Sequence, residues 1–390
     1  MKITYTAPNR SNNYPLASAI HDAGHLHAFV SGFSRFSPRA SLPDMGNKLK
    51  RHDFFQNLYV ASLKFNTPDL VATMFNRLSN LRLDQASYPW AKESDVFIYY
   101  RTQGYETTQR IHRSGSPTLC IMEEVNSHVD VCDGLMRAEL KHIGLDSSQH
   151  EKFPDHTLRL KAYEESDLIL CPSVFVLNSF LAKGFSPERL IKFNYGFPPI
   201  ENVADKANKL ADGTFRVLYV GQLHYRKGLR YAIDAFRQLK HPKKEFVIVG
   251  PKTQITGLEQ TRIPDGVVFT GPLKGEALSE QYRRATVFVL PSIEDGFGLV
   301  VGEAMSFGLP VLITTNTGAS DVVNDGVEGY VVPPGDERAL AERLQQMADD
   351  NELMNRLSAT ALQTAWKLGS WETIAKRLVS ELTEILANRS

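Results

Sequence analysis

Ile293-Glu294-Asp295-Gly296-Phe297-Gly298-Leu299-Val300-Val301-Gly302-Glu303-Ala304-Met305-Ser306-Phe307-Gly308-Leu309-Pro310-Val311 places an acidic residue and a glycine-flanked turn directly before a helix. A second carboxylate, Glu303, follows inside that helix. A helix N-terminus leaves its first backbone N–H groups without partners and carries the positive end of the helix dipole, so it attracts anions. Two carboxylates beside it suit a ligand that brings hydroxyls as well as phosphate. A nucleotide sugar is a ligand of that kind.

Working outward, strands are expected at 287–290 before this motif and at 311–314 after it. Upstream, the β-rich run 217–220 ends at Gly221 and opens into a polar loop, 222–228. Leu229, Ala232, Ile233, Phe236 and Leu239 then recur at helical spacing. Strands at 246–249, 267–269 and 330–332 and a helix at 277–285 complete the second half. Short strands alternating with helices mean βαβ units and a parallel sheet, and right-handed crossovers make it Rossmann-like.

The first half repeats the rhythm less cleanly. Strands are expected at 27–30, 95–100, 118–122, 168–171 and 190–193, with helices at 69–81, 130–143 and 157–166 between them. Residues 198–214 are polar and lack apolar periodicity. The expected organisation is therefore a first Rossmann-like domain over 1–200, a linker over 201–214, a second domain over 215–370 and a C-terminal helix over 371–390. Ile374, Leu378, Leu382 and Ile385 share one face of that helix, which is expected to pack back on the first domain. Such sheets bind ligands at the carboxyl ends of their strands, so two facing domains imply a cleft and a two-substrate enzyme.

Bulk properties narrow the class. A chain of 390 residues exceeds one ordinary hydrophobic core. Its 44 basic and 44 acidic residues cancel, so no global field draws nucleic acid, which is not an expected partner. Cys120, Cys132 and Cys171 form no CxxC pair and read as reduced cytosolic thiols. The N-terminus reads as a first strand rather than a signal peptide, and no apolar run approaches the roughly 20 residues that span a bilayer. There is no Asp-x-Asp at a strand end and no His/Cys ligand spacing, so neither a metal nor a cofactor is expected.

Three loops lie at strand carboxyl ends in the second half: 221–228, 271–276 and 292–299. With their strands they read Val220-Gly221-Gln222-Leu223…Arg226-Lys227-Gly228, Phe269-Thr270-Gly271, and Leu290-Pro291-Ser292…Asp295-Gly296-Phe297-Gly298…Glu303-Ala304-Met305. This combination resembles the C-terminal domain of family-4 retaining glycosyltransferases (group 1 glycosyl transferases). The resemblance covers about residues 165 to 370, since Glu165-Ser166-Asp167-Leu168 and Asn194-Tyr195-Gly196 also fit. It implies an α/β, GT-B fold: two Rossmann-like domains facing each other across a cleft.

The resemblance also implies roles. Gly221 and Gly228 let the backbone approach the ligand. Lys227, with Arg226, would neutralise the donor diphosphate, Lys as a point charge and Arg as a fork. Backbone N–H groups of Phe297, Gly298 and Leu299, after Gly296, would bind phosphate or sugar oxygens. Asp295 would accept from hydroxyls of the transferred sugar, Glu303 would accept both ribose hydroxyls, and Gly271 to Leu273 would meet the base. Three positions depart from the family pattern. The first glutamate of its E-x7-E pair is Asp295, the arginine after the first glycine is Gln222, and Gly-x-Gly is reduced to Gly250-Pro251-Lys252.

In the first domain, Arg10 and Asn12 in the loop after the first strand are candidates for the acceptor or the donor phosphate. Glu124 and His128 follow the strand at 118–122, and the family commonly has a donor-contacting histidine near this point. Arg101 and Gln103 are further cleft candidates. Aromatic and basic residues interleave between Phe33 and Phe55, which fits a membrane-touching lip, an acceptor loop or a solvated excursion. The expected activity is metal-independent, retaining transfer of a hexose-type sugar from a nucleoside-diphosphate sugar to a glycan or lipid-linked acceptor, in the cytoplasm or at the inner face of a membrane. The alternatives are a nucleotide-sugar epimerase, with Glu124 and His128 as acid and base, and a catalytically silent partner subunit. The base, the sugar, the acceptor and the oligomeric state stay open.

Overall fold

Runs such as Val96-Phe97-Ile98-Tyr99 and Val287-Phe288-Val289-Leu290 are apolar on both faces, the pattern of parallel strands covered by helices on each side. The computed structural model describes residues 1–8, 12–36, 44–65, 67–150, 153–196 and 213–389, and builds two such sheets. Arg10 and the linker segment 201–212 lie outside the described residues.

The N-terminal sheet contains β1 (Ile3–Ala7), β2 (Leu26–Ser31), β3 (Leu49–Arg51), β4 (Val96–Tyr100), β5 (Leu119–Glu123), β6 (Leu168–Cys171) and β7 (Leu190–Lys192). Their order is β3-β2-β1-β4-β5-β6-β7, with every pair parallel. Around it run α1 (Asn13–Asp22), α2 (Phe54–Lys64), α3 (Asp69–Ala91), α4 (Tyr105–Arg113), α5 (Val129–His142), α6 (His156–Glu165) and α7 (Val174–Leu181).

The C-terminal sheet repeats the scheme with β8 (Phe215–Val220), β9 (Lys244–Val249), β10 (Val267–Gly271), β11 (Val287–Leu290), β12 (Val311–Thr314) and β13 (Gly329–Val332). The order is β10-β9-β8-β11-β12-β13, again all parallel. Its helices are α8 (Leu229–Gln238), α9 (Glu276–Arg284), α10 (Leu299–Ser306), α11 (Glu337–Asp349) and α12 (Asn351–Lys367). In each sheet the chain reverses direction of winding beside its first strand, between β1 and β4 and between β8 and β11. Such a switch point leaves a crevice at the strand carboxyl ends.

Helix α13 (Trp371–Arg389) returns to the first domain, where Ile374, Leu378 and Leu382 are fully or almost fully buried in the core that contains α1. The two domains are also packed through α5, whose Cys132, Met136, Leu140 and Ile143 join the apolar core of the C-terminal domain. No described helix is long and apolar enough to cross a membrane.

Helix α3 runs to Ala91 rather than stopping near 81, through Pro89 in its last turn. Its second half is held by buried polar contacts rather than an apolar stripe. Ser87 Oγ meets Thr6 Oγ1 at 2.7 Å, and Asp84 accepts the N–H groups of Glu106 and Thr107 at 2.9 and 3.0 Å. Edge strand β3 and helix α2 occupy part of the 33–55 stretch, and Arg35 there is paired with buried Asp53 at 2.8 Å.

Candidate functional site

The loop after β8 and the loop after β11 are locked together by their backbones. The carbonyl of Arg226 accepts from Ile293 N–H at 2.9 Å. Gly228 turns at φ 62°, and a Cβ there would overlap the carbonyl of Pro291, so only glycine allows this approach. The lock brings Arg226 and Lys227 against Glu294 and Asp295. Lys227 Nζ is hydrogen-bonded to Asp295 Oδ2, and both side chains are largely buried. Burial pushes the Asp295 carboxyl up, but Lys227 and then Arg226 outweigh it and hold Asp295 below the usual carboxylate range. Burial also draws the Lys227 ammonium down, with Asp295 opposing.

Arg226 Nη1 donates to Glu294 Oε2 at 2.8 Å. Glu294 is completely buried, and its other oxygen, Oε1, accepts the Ser127 N–H at 2.9 Å and its hydroxyl at 3.1 Å. Ser127 belongs to the opposite domain, so one carboxylate joins the cation of one loop to the far wall of the cleft. Three more links cross nearby. Ser173 Oγ donates to the Gly296 carbonyl at 2.8 Å, Tyr195 packs edge-on against Phe297 at 5.4 Å, and Asp321 Oδ2 accepts Val174 N–H at 3.0 Å.

Between the domains lies a cavity of about 320 Å³, bounded by Arg226, Lys227, Asp295, Gly298, Leu299 and Asn12 among others. Gly298, at φ 79°, caps α10, and the first-turn N–H groups of Leu299 and Val300, both lining residues, have no intrahelical partner by position. An adjoining cavity is walled by Gly221, Gln222, Gly250, Pro272, Leu273 and Leu278. Glu303, half-buried on α10, accepts the Tyr282 hydroxyl at 3.0 Å, and burial raises its pKa. Gly271 ends β10 at φ 72°. Arg226, Lys227, Asp295, Phe297, Gly298 and Leu299 therefore line the first cavity, Leu273 the second and Gly221 and Gln222 both, whereas Gly271, Gly296 and Glu303 line neither.

The N-terminal candidates divide. Asn12 lines the cavity and donates to Glu123 Oε1 at 2.8 Å. Glu124 is buried, and its oxygens accept from Arg101 at 3.2 Å, Tyr163 at 2.9 Å and the Val125 N–H at 2.9 Å, so it shapes the loop. His128 is also buried. It caps α5 by accepting Asp130 N–H at 3.2 Å and packs among Tyr163, Phe180 and Phe185. Burial pushes its pKa down to about 4. The structure thus places His128 in an aromatic core rather than at the cavity wall. Gln103 is buried beside Thr102. Arg101 is the one non-glycine with positive φ among the described residues, 51°, which aims its guanidinium at Glu124.

Residues 201–364 match the family model for glycosyl transferases group 1. That segment is similar to a group 1 glycosyl transferase domain. An uncharacterised glycosyltransferase from Methanocaldococcus jannaschii is 31% identical over 42% of this chain and 43% of its own length. The sulfoquinovosyl transferase SQD2 of Arabidopsis thaliana is 28% identical over 56% of this chain and 45% of its own. The chain thus aligns with about half the length of each of these relatives. The crystal structure of Anabaena HepE in complex with UDP and glucose superposes with a TM-score of 0.67, covering 98% of this chain and 100% of that one at 16% identity. That likeness makes the two-domain architecture a GT-B fold.

Proposed function

We propose that the protein is a retaining glycosyltransferase that moves a hexose-type sugar from a nucleoside-diphosphate sugar to a glycan or lipid-linked acceptor. The observation that carries this reading is the convergence of Lys227, Arg226, Asp295 and the α10 N-terminus on one interdomain cavity. The donor's C1–O bond breaks and the nucleoside diphosphate leaves. The acceptor oxygen bonds to C1 from the same face, and its proton passes to the departing phosphate oxygen. No protein base is required. The protein positions both substrates and stabilises the charge that grows on the diphosphate.

Lys227 and Arg226 supply positive charge to the diphosphate, aided by the N–H groups of Leu299 and Val300. Asp295, kept ionised, accepts from sugar hydroxyls. Glu303 takes the ribose, and the pocket at Leu273 takes the base. UDP is the first nucleotide to try, because Anabaena HepE was solved with UDP and glucose. An epimerase role fits less well, since Glu124 is occupied by internal donors and His128 caps a helix. A membrane-borne acceptor is favoured by the strongly exposed Phe36, Phe54, Phe65 and Leu70 of the first domain. Co-sedimentation with anionic vesicles tests that location.

The test of the reaction is NMR of each sugar donor incubated with the protein in EDTA. The proposal expects release of the nucleoside diphosphate with retained anomeric configuration. Inverted product, or epimerised donor with no release, would overturn it.

A further inference from the structure

Tyr225, Arg226 and Lys227 form a single 3-10 turn, so what fixes the first side chain of the turn also bears on the two cations after it. Tyr225 is 4% exposed, and its hydroxyl meets Nδ1 of His150, in the first domain, at 2.8 Å. His150 Nε2 meets Asp133 Oδ1, on α5, at 3.0 Å. The chain Asp133–His150–Tyr225 therefore crosses from one domain to the other one residue before Arg226. A separate crossing runs from Arg226 through Glu294 to Ser127. Consecutive residues of one turn are thus tied independently to the opposite wall of the cleft.

Elementary chemistry assigns the protons of this chain. An ionised carboxylate only accepts, so His150 carries its proton on Nε2, and the neutral ring leaves Nδ1 to accept from Tyr225. Burial pushes the Tyr225 pKa up to about 12, so the phenol keeps the proton it donates. The side chains of Asp133 and His150 are each 8% exposed, which shields both bonds from water. Their supports are fixed in turn. His156 Nε2 stands 3.5 Å from Asp133 Oδ2, and Arg137 of α5 donates to the Ser147 carbonyl at 3.3 Å, holding the segment before His150. From within the second domain, His224 stacks on the Tyr225 ring at 4.3 Å, and its Nδ1 accepts the Arg226 N–H at 3.0 Å. A Cβ on Gly257 would press on the Cβ of Tyr225, so that segment closes against it as well.

We propose that His150 is a positioning residue: through the Tyr225 hydroxyl it sets the turn that presents Arg226 and Lys227, and Asp133 holds it in the tautomer that does so. The inference rests on the transferase reading, in which those two cations stabilise the departing diphosphate, and adds the group that places them. Because the chain spans both domains, the turn takes its place only while the two domains are in register.

The test compares the full chain with Tyr225→Phe, His150→Gln and the double variant. Tyr225→Phe removes one hydroxyl and keeps the ring, so the fold stays intact. His150→Gln keeps a donor for Asp133 and gives up the ring nitrogen that holds Tyr225. Turnover is read as release of nucleoside diphosphate from UDP-glucose, GDP-mannose, ADP-glucose and TDP-glucose. Each single variant is expected to lower kcat by about tenfold or more, the scale of a small misplacement at a reacting centre, with KM and Tm close to wild type. The double variant should lose no more than the larger single loss, since both changes act through one bond. An unchanged kcat, a loss confined to KM, or losses that multiply in the double variant would overturn the positioning role alone. If the wild type neither binds UDP, GDP, ADP or TDP nor releases them from these donors, the transferase reading fails, and the positioning role with it.

Discussion

Glu294 and Arg226 form a buried ion pair, Oε2 to Nη1 at 2.8 Å, and the free oxygen of the same carboxylate is anchored on Ser127 of the opposite domain. The guanidinium proposed to face the donor phosphates is thus set in place by a group that also contacts the other domain. A buried ion pair with its remaining oxygen satisfied fixes geometry more than it adds stability.

Glu294→Gln should therefore act on the chemical step. Turnover is expected to fall by about ten- to a hundredfold, the scale of losing one preorganised charge contact, with the nucleotide dissociation constant changed far less. Ser127→Ala removes only the hydroxyl contact, and its effect should stay near 1 kcal/mol. A full kinetic comparison of kcat and KM checks this; a normal kcat in Glu294→Gln would refute the positioning role.

Gly296 sits where the domains meet. A Cβ there would overlap the carbonyl of Val125 across the cleft. Gly296→Ala should leave each domain folded, with a Tm near that of the wild type, and abolish most turnover by holding the cleft open. Small-angle scattering would show the expansion, and an active, equally compact variant would contradict it.

Glu303 is predicted to bind the ribose. Removing it should weaken nucleoside-diphosphate binding by about ten- to a hundredfold, the loss of one or two charge-assisted hydrogen bonds. Because burial raises its pKa, affinity should decline toward mildly acidic pH sooner than for an ordinary carboxylate, as the acceptor oxygen becomes protonated. Titration calorimetry across pH reads both effects. Tyr282→Phe, which takes away the hydroxyl donating to Glu303, should shift that decline further up in pH.

His128 sets an acid limit on stability. Burial, its largest cause, holds the folded pKa at about 4, below the ordinary 6.5. The unfolded chain therefore takes up the proton first. Stability is complete above about pH 6.5 and is lost as pH falls toward 4, by on the order of 1–2 kcal/mol after solvent screening. His128→Asn keeps a helix-capping acceptor and removes the titration, so its Tm should fall less steeply over that window. Parallel Tm curves would contradict the assignment.

Much of this was legible in the sequence because it is local. The βαβ rhythm follows from short apolar runs ending at glycine, and the loop–helix motif at 293–311 lies within one stretch of chain. What stayed hidden depends on distant partners. Glu294 reads as a carboxylate at an unhelpful spacing, since nothing local announces Ser127, far away in the chain. Glu123 and Glu124 are adjacent and look alike, yet they emerge on opposite sides of the end of β5. One meets Tyr5, Asn12, Asn13 and Tyr195, the other Arg101 and Tyr163. Helix α3 outran its apolar pattern because its second half is held by Asp84 and Ser87. His128 lies in the expected loop, but its neighbours Phe180 and Phe185 come from beyond α6 and turn it inward.

The most direct test of the central claim is a thermal-shift panel of UDP, GDP, ADP and TDP with their common sugar conjugates, on the wild type and on Lys227→Ala. A ligand that binds only the folded state at about 100 times its Kd adds roughly 2.7 kcal/mol. The account predicts a clear rise in Tm for one nucleotide, lost in Lys227→Ala. No rise with any nucleotide, or an equal rise in the variant, would contradict it.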